Sequence, residues 1–196
     1  PDTVEYFTVT FARGIPVEVN GSPMIPLNSL AEANRIAGRN GVGIAIHTVE
    51  NRFVGIKSRG VYESPGMELL GRCYEYLLQL ILDRRARRVF THVSEVVAEQ
   101  IYQGYWFDLA TTSALAALDP MTSLATGTIT VRLYKGEIFF ESAEDTPEAM
   151  PHSLYTDDSS MEALGSYDHT DAEGFQKVLG VSAKNFGMRQ FPHLGR

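Results

Sequence analysis

Cysteine is almost absent from this chain, which has Cys73 alone among its 196 residues. A single cysteine excludes a disulfide within the chain and any zinc site built mainly from cysteines. Cys73 lies in an apolar helical pattern, so we expect a small buried hydrophobic side chain there. The five histidines are scattered without the spacing of metal ligands. The sequence therefore predicts no metal site and fits a reducing, cytoplasmic setting.

Positive charge is in the minority, with 17 Lys and Arg against 24 Asp and Glu and a net charge of −7. A role in binding nucleic acid therefore has no electrostatic support. The basic cluster at residues 84–88 is isolated, and a solvated helix start or a salt-bridged interface explains it better than phosphate binding. No apolar run approaches the roughly 20 residues that a membrane-spanning helix needs, so no membrane partner is predicted.

The length of 196 residues and the 44% hydrophobic content suit one domain with a sizeable core, or one compact piece of a larger protein. The sequence begins with Pro1 rather than methionine. We therefore expect a fragment, a proteolytic product or a truncated form, with residues 1–196 as a single domain fragment.

Hydrophobic periodicity divides the chain into strand hairpins and a block of helices. The predicted strands span residues 4–11, 15–19, 44–49, 52–57, 126–134 and 137–141. The predicted helices span residues 30–37, 67–82, 85–102, 112–118 and 171–179. This order predicts an α+β fold, with strand hairpins packed with a helical block, rather than a doubly wound sheet.

Two local signals set the ends of predicted helices. Ser29 and Glu32 have the spacing of a capping box, which places the first helix start just after Ser29. Pro120 is expected to stop the fourth helix at about residue 118, because proline lacks the N–H that a helix interior needs. Beyond residue 181 the sequence shows no clear period.

The most informative stretch is residues 49–66, which read VENRFVGIKSRGVYESPG. Charged and apolar side chains are mixed closely there, and buried charges are costly unless they are paired. A surface loop has no need for so many apolar residues. The stretch therefore predicts either a polar site on a folded scaffold or an ion-paired core hairpin, and the residue types fit both equally well.

Glu50 and Tyr62 are the main candidates for ligand contact in this stretch. A fully extended chain would separate them by roughly 40 Å, so they converge only if the backbone turns, and Gly55 and Gly60 permit a turn. A carboxylate beside a phenol suits a zwitterionic amino acid, because the carboxylate holds an ammonium and the phenol donates or accepts. A structural ion pair for Glu50 and a core role for Tyr62 remain equally compatible with the residues.

Arg52, Lys57 and Arg59 are further candidates. Arginine forks match phosphate and carboxylate groups alike, so these side chains either face a ligand or pair with acidic neighbours or a second subunit. We favour the structural role. Ser58 is a polar candidate without a specific signal, and we predict no catalytic residue in the stretch.

Residues 49–66 closely resemble the carboxy-terminal signature of argininosuccinate synthase, and further blocks follow in the order of that family. They are EANRIAGRNGVG at 32–43, YQGYWF at 102–107, TG at 126–127 with LYKG at 133–136, SLY at 153–155, and YD at 167–168 with DAEGF at 171–175. The resemblance runs from about residue 4 to residue 175. It implies a fold like the carboxy-terminal domain of argininosuccinate synthetase.

The family named by this resemblance joins citrulline to aspartate with ATP, in arginine biosynthesis and the urea cycle. Glu50 and Tyr62 occupy the positions of the glutamate and tyrosine that contact citrulline in the family. ATP and Mg²⁺ are expected to be bound mainly by an amino-terminal nucleotide-binding domain that this chain lacks, so the chain alone should be inactive. The resemblance also implies a cytoplasmic protein and a homotetramer.

The chain departs from the family pattern in several places. It has no Ser-Gly-Gly-Leu-Asp-Thr-Ser type loop to cradle pyrophosphate. The segment between Gly43 and Glu50 is longer than in the family, Asn40 replaces a usual histidine, and the tail at 176–196 diverges. Two alternatives therefore stay open: a non-catalytic binding or oligomerisation module of the same fold, and a relative that uses another ureido or amino-acid substrate.

Overall fold

The computed structural model describes residues 1–44, 46–51, 54–144, 146, 148–154 and 169–190. The strands of this part are β1 (Glu5–Ala12), β2 (Ile15–Val19), β3 (Ser22–Pro23), β4 (Ile46–Asn51), β5 (Lys57–Tyr62), β6 (Gly127–Tyr134) and β7 (Glu137–Glu144). The helices are α1 (Pro26–Arg39), α2 (Pro65–Ile81), α3 (Arg84–Gln103), α4 (Leu109–Thr122) and α5 (His169–Gln190). All strand pairs in the described residues are antiparallel, and the α+β prediction is confirmed.

The chain divides into two compact units, Pro1–Tyr155 and Thr156–Arg196. The first unit is built on a five-stranded sheet in the order β3-β2-β1-β6-β7. Its two central strands pair Phe7 with Val131 and Val9 with Ile129, and all four side chains are fully buried. The alternation of buried and partly exposed residues along β1 and β6 follows from the period of two of a strand that packs one face on a core.

Helices α1 and α2 complete the core of this unit. Leu69, Cys73 and Leu77 of α2 are fully buried at helical spacing, as is Ala33 of α1. Burial raises the pKa of the Cys73 thiol to about 12, because the charged thiolate is poorly solvated inside the core. The prediction of a small buried hydrophobic side chain at Cys73 is confirmed.

Helices α1 and α2 approach each other closely where α2 begins. The Gly66 N–H donates to Oδ1 of Asn34 at 2.7 Å, and a Cβ atom on Gly66 would lie 2.8 Å from the backbone nitrogen of Asn34. Just before it, the Ser64 N–H donates to the Gly43 carbonyl at 2.8 Å. These contacts hold together the two segments that lead into β4 and out of β5.

Helix α1 begins at Pro26, and the capping-box prediction was wrong. Ser29 is fully buried inside the helix, and its hydroxyl donates to the Ile25 carbonyl at 3.3 Å. Glu32 accepts instead from Arg35 one turn further on. Pro26 starts the helix because its fixed φ suits the first turn and its missing N–H has no partner to lose there.

Helix α3 carries the basic cluster at its start. The Asp83 side chain accepts from the N–H groups of Ala86 at 2.9 Å and Arg85 at 2.7 Å, and these bonds lower the pKa of its carboxyl. Arg87 forms an ion pair with Glu75 of α2. The cluster is thus a capped helix start tied to a neighbouring helix, as expected from the sequence.

Helices α4 and α5 are longer than predicted. Helix α4 continues through Pro120 to Thr122, because a proline in the last turn removes few helical hydrogen bonds. Helix α5 spans 22 residues, including positions where no period was evident. The apolar residues of this helix are not gathered on one face, which is why its sequence shows no clear period.

Two glycines of α2 should respond in opposite ways to substitution by alanine. Gly66→Ala places a methyl group against the Asn34 backbone and should lower the free energy of unfolding by about 1–3 kcal/mol. Gly71→Ala meets no heavy atom within 4 Å and should raise it by about 0.5–1 kcal/mol through helix propensity. Urea unfolding followed by circular dichroism measures both; equal effects would contradict the close approach at Gly66.

Cys73 should react with thiol reagents only when the chain unfolds. Its raised pKa means that the folded state favours the neutral thiol, so little thiolate exists at pH 8. Its contribution to stability is complete below the ordinary pKa of 9.0 and declines as the pH rises from there towards 12. Timed labelling at pH 8 with and without denaturant tests this, and fast labelling of the folded chain would contradict it.

Candidate functional site

Strands β4 and β5 form a separate two-stranded sheet. Its register pairs Glu50 with Ser58 and Ile46 with Tyr62. Directly opposed side chains lie on the same face of a sheet, and side chains alternate between faces along each strand. Glu50, Ser58 and Tyr62 therefore share one face of the hairpin.

The Tyr62 side chain reaches Glu50 by crossing over Gly60. A Cβ atom on Gly60 would lie 2.5 Å from Cε2 and 2.7 Å from the hydroxyl oxygen of Tyr62. The Tyr62 hydroxyl donates to Oε1 of Glu50. The structure thus brings together the two residues that the sequence singles out, and the missing side chain at Gly60 makes room for this contact.

The turn of the hairpin lies at Gly55, whose φ of +81° favours glycine. Gly60 lies inside β5, which spans Lys57–Tyr62. The predicted strand at 52–57 was therefore wrong, and Gly60 is not a turn residue. A glycine normally weakens a strand, but here it leaves space for the Tyr62 ring.

Lys57 and Arg59 lie on the opposite face of the hairpin from Glu50, because the register pairs them with Asn51 and Val49. Both side chains are exposed, and neither takes part in an ion pair within the described part of the chain. Of the structural role that we favour, pairing of these two side chains with acidic neighbours is thus not found there, and pairing with a second subunit stays a prediction. Arg52 lies outside the described residues.

The hairpin is not a core element. Val54, Ile56 and Val61 are 72%, 64% and 58% exposed, whereas the sequence suggested that these apolar residues would be buried. Phe53 lies outside the described residues. A two-stranded sheet whose side chains are mostly exposed has little apolar burial to stabilise it, so the contacts at its base and at Glu50 matter most. The alternative of an ion-paired core hairpin was wrong.

A third residue approaches Glu50 from helix α3. The Tyr102 hydroxyl lies 3.5 Å from Oε2 of Glu50, at the long end of hydrogen-bond distance. Glu50 itself is half-buried, and no ion pair of the described residues includes it. A carboxylate accepts about four hydrogen bonds, so positions remain for a cationic ligand group.

Sequence reasoning did not find Tyr102. The residue lies 52 positions from Glu50, and its only signal was membership of the YQGYWF block. Nothing in helical periodicity indicates which distant strand the end of α3 will meet.

Asn40, the residue just after α1, has a structural role. It is buried, and its Nδ2 donates to Oε2 of Glu5 at 2.7 Å and to the Ile36 carbonyl at 2.9 Å. Glu5 also pairs with Arg39. Asn40 therefore joins the end of α1 to the start of β1.

An open cavity of about 560 Å³ lies at the base of the hairpin. Ile46, Arg72, Tyr76 and Glu137 contribute to its lining, but Glu50 and Tyr62 do not. We therefore define the candidate site by the contacts of Glu50 rather than by this cavity.

Metal-holding and membrane-spanning features are also absent from the described ranges. No group of three or more His, Cys, Asp and Glu side chains lies close enough there to hold a metal ion. None of the described helices combines the length and the apolar character required to cross a membrane.

The comparisons with known proteins all indicate the same family. A family model described as "Arginosuccinate synthase C-terminal domain" matches residues 1–186. The chain is 40% identical over 185 residues to argininosuccinate synthase of Rhodopirellula baltica, covering 94% of this chain and 44% of the relative. It is 40% identical over 191 residues to argininosuccinate synthase 1 of Rhizobium johnstonii, covering 96% and 46%.

A plant relative has the same level of identity. Chloroplastic argininosuccinate synthase of Arabidopsis thaliana is 40% identical over 185 residues, covering 94% of this chain and 36% of the relative. The chain thus spans less than half the length of each of these three relatives.

Gly60→Ala should separate Tyr62 from Glu50 without unfolding the protein. The new methyl group occupies the space of the Tyr62 ring, while no described hairpin residue belongs to the core cluster. We expect the free energy of unfolding to change by less than about 0.5 kcal/mol. NMR contacts between the Tyr62 ring and the Glu50 side chain should disappear; Tyr62→Phe, which keeps the ring, is the control. Unchanged contacts in Gly60→Ala would contradict the geometry.

Proposed function

Because the chain belongs to the argininosuccinate synthase family, as a counterpart of its carboxy-terminal domain, we propose that it supplies the citrulline-binding part of an ATP-dependent ligase. The proposed whole enzyme condenses citrulline with aspartate and releases AMP and pyrophosphate. The observation that carries this proposal is the Glu50 carboxylate, which accepts from the Tyr62 hydroxyl and takes part in no ion pair of the described residues.

The chemistry of this site suits the amino-acid end of citrulline. A carboxylate held by a neutral phenol keeps its charge available for an ammonium group, and charge-assisted hydrogen bonds of this kind are the strong ones. In the proposal Glu50 binds the α-ammonium group, while Tyr62 and Ser58 line the same face. Fixing this end leaves the uncharged ureido end to react, so the contribution of these residues is positioning.

ATP and Mg²⁺ are assigned to another part of the enzyme. The described residues offer no cluster of metal-ligating side chains, and the sequence has no phosphate-cradling loop of the family type. We propose that an amino-terminal nucleotide-binding domain binds both and also provides contacts to aspartate. The chain on its own is then inactive.

Other expected properties of the family belong to the same proposal. They include a cytoplasmic location and a homotetramer, in which this chain contacts both its nucleotide-binding domain and its own copies. Lys57 and Arg59 are not included in the citrulline site, because they lie on the face of the hairpin opposite to Glu50.

The test measures pyrophosphate release by this chain mixed with the separately produced amino-terminal portion of the Rhodopirellula baltica relative. The mixture contains ATP, Mg²⁺, citrulline and aspartate. We expect citrulline-dependent release, and Glu50→Gln should lower kcat/KM roughly 10- to 100-fold, because it removes the charge that binds the ammonium.

The control is Glu95→Gln, which makes the same chemical change at an exposed position of α3 and should behave like the unaltered chain. Sedimentation of the mixture establishes that the two parts associate. Association without citrulline-dependent release would contradict the proposed role and favour a non-catalytic module; release with a better ureido substrate would favour a relative of different specificity.

A further inference from the structure

Tyr102 is placed at Glu50 by the end of helix α3. Gly104 terminates the helix in the left-handed conformation, with φ of 83°, and its N–H donates to the carbonyls of Gln100 and Ile101. This ending fixes the last turn, which carries Tyr102. Tyr102 therefore reaches the hairpin from an ordered helical position rather than from a loop.

Near its start, α3 is held against α2. Arg87 pairs with Glu75, and the rings of Phe90 and Tyr74 lie 6.3 Å apart between centroids. From Arg87 to Tyr102 the helix rises by roughly 22 Å. The contact with Glu50 thus occurs at the end of α3 that is remote from its anchor on α2.

The hydroxyl groups of Tyr62 and Tyr102 approach different oxygens of the Glu50 carboxylate. Tyr62 donates to Oε1 of Glu50, and the Tyr102 hydroxyl lies 3.5 Å from Oε2. The terminal torsion of a glutamate is broad, so a single donor leaves the plane of the carboxylate free to turn. A donor at each oxygen fixes the plane.

The remaining acceptors form a group suited to an ammonium. Each carboxylate oxygen keeps one acceptor position, and the Tyr102 oxygen adds lone pairs of its own. An α-ammonium group has three N–H donors, which these acceptors can satisfy. Tyr102 is 60% exposed and Tyr62 is 45% exposed, so a ligand can approach from solvent.

We propose that Tyr102 is a positioning residue of the amino-acid site, which orients the Glu50 carboxylate and sets the preference for a substrate that carries an α-ammonium group. This inference rests on the proposed function, since it assigns Tyr102 to the same citrulline site. The 3.5 Å separation shortens when a ligand fills the site, because hydrogen bonds of a binding site tighten in the complex.

The first experiment needs no ligand and tests the contact itself. The full chain, labelled with ¹³C at the tyrosine ring carbons, is compared with Glu50→Gln and with Glu95→Gln. We expect the Tyr102 and Tyr62 ring signals to shift in Glu50→Gln and to stay unchanged in Glu95→Gln. An unmoved Tyr102 signal in Glu50→Gln would overturn the inference, whatever the function of the protein.

The second experiment tests the role in binding, using the mixture with the amino-terminal portion described above. Tyr102→Phe should raise KM for citrulline about tenfold and leave kcat nearly unchanged, because the contact acts on ground-state binding. The preference for citrulline over 5-ureidopentanoate, which lacks the amino group, should fall by a similar factor. Tyr105→Phe, three positions further on, is the matched control and should alter neither.

A comparison of two substitutions separates positioning from packing. If the hydroxyl orients Glu50, Tyr102→Phe will be impaired about as strongly as Tyr102→Leu. If the ring only supports the fold, Tyr102→Phe will behave like the unaltered chain and Tyr102→Leu alone will be impaired, which would overturn the inference. A mixture inactive with unaltered chain would count against the proposed function, while the tyrosine signals still decide the Tyr102 contact.

Discussion

The close approach of α1 and α2 at Gly66 is the constraint on which the rest of the first unit depends. The Asn34 side chain accepts from the Gly66 N–H there, and no side chain fits between the two backbones. This contact sets where α2 begins, and therefore how its buried face meets the sheet. It also sets where β5 ends, because only two residues separate Tyr62 from the first residue of α2. The core and the candidate site thus share one junction.

Two kinds of stabilisation meet at this junction. On the side of the five-stranded sheet, alternating strands and the apolar face of α2 form a continuous core. The stability of this core comes from apolar area removed from water. On the other side, the hairpin of β4 and β5 is stabilised by the backbone hydrogen bonds between its strands and by polar contacts to Glu50. Buried polar side chains of this unit, such as Ser29 and Asn40, are hydrogen-bonded, whereas most side chains of the hairpin are exposed and can carry charge in contact with water.

The parts of the fold that local patterns specify were predictable. Strands β1, β2, β6 and β7 follow from alternation, and α2 and α3 follow from their apolar repeat. The start of α1 was not predictable in this way. Ser29 and Glu32 have the spacing of a capping box but lie inside the helix, which begins at Pro26. The position of β5 was predicted wrongly because glycine is typical of turns. In the structure Gly60 lies inside the strand and leaves space for the Tyr62 ring.

The candidate site was likewise predictable only in part from the sequence. The residue types at Glu50 and Tyr62 are equally compatible with a core ion pair and with a binding site. The prediction of a binding site came from the resemblance to a family. That both side chains lie on one face depends on a register that residue spacing alone does not define. Tyr102 could not be inferred, because its approach to Glu50 depends on the packing of α3 at a point far from the contact.

The openness of the hairpin has a consequence for how this fold can change over time. None of its described side chains belongs to the buried core cluster, so substitutions at its exposed positions should leave the packing of the five-stranded sheet and the helices unchanged. Substitutions at such exposed positions usually change the free energy of unfolding by less than about 0.5 kcal/mol. The same core can therefore carry hairpins of different surface chemistry, because the two parts of the unit are stabilised by separate sets of contacts.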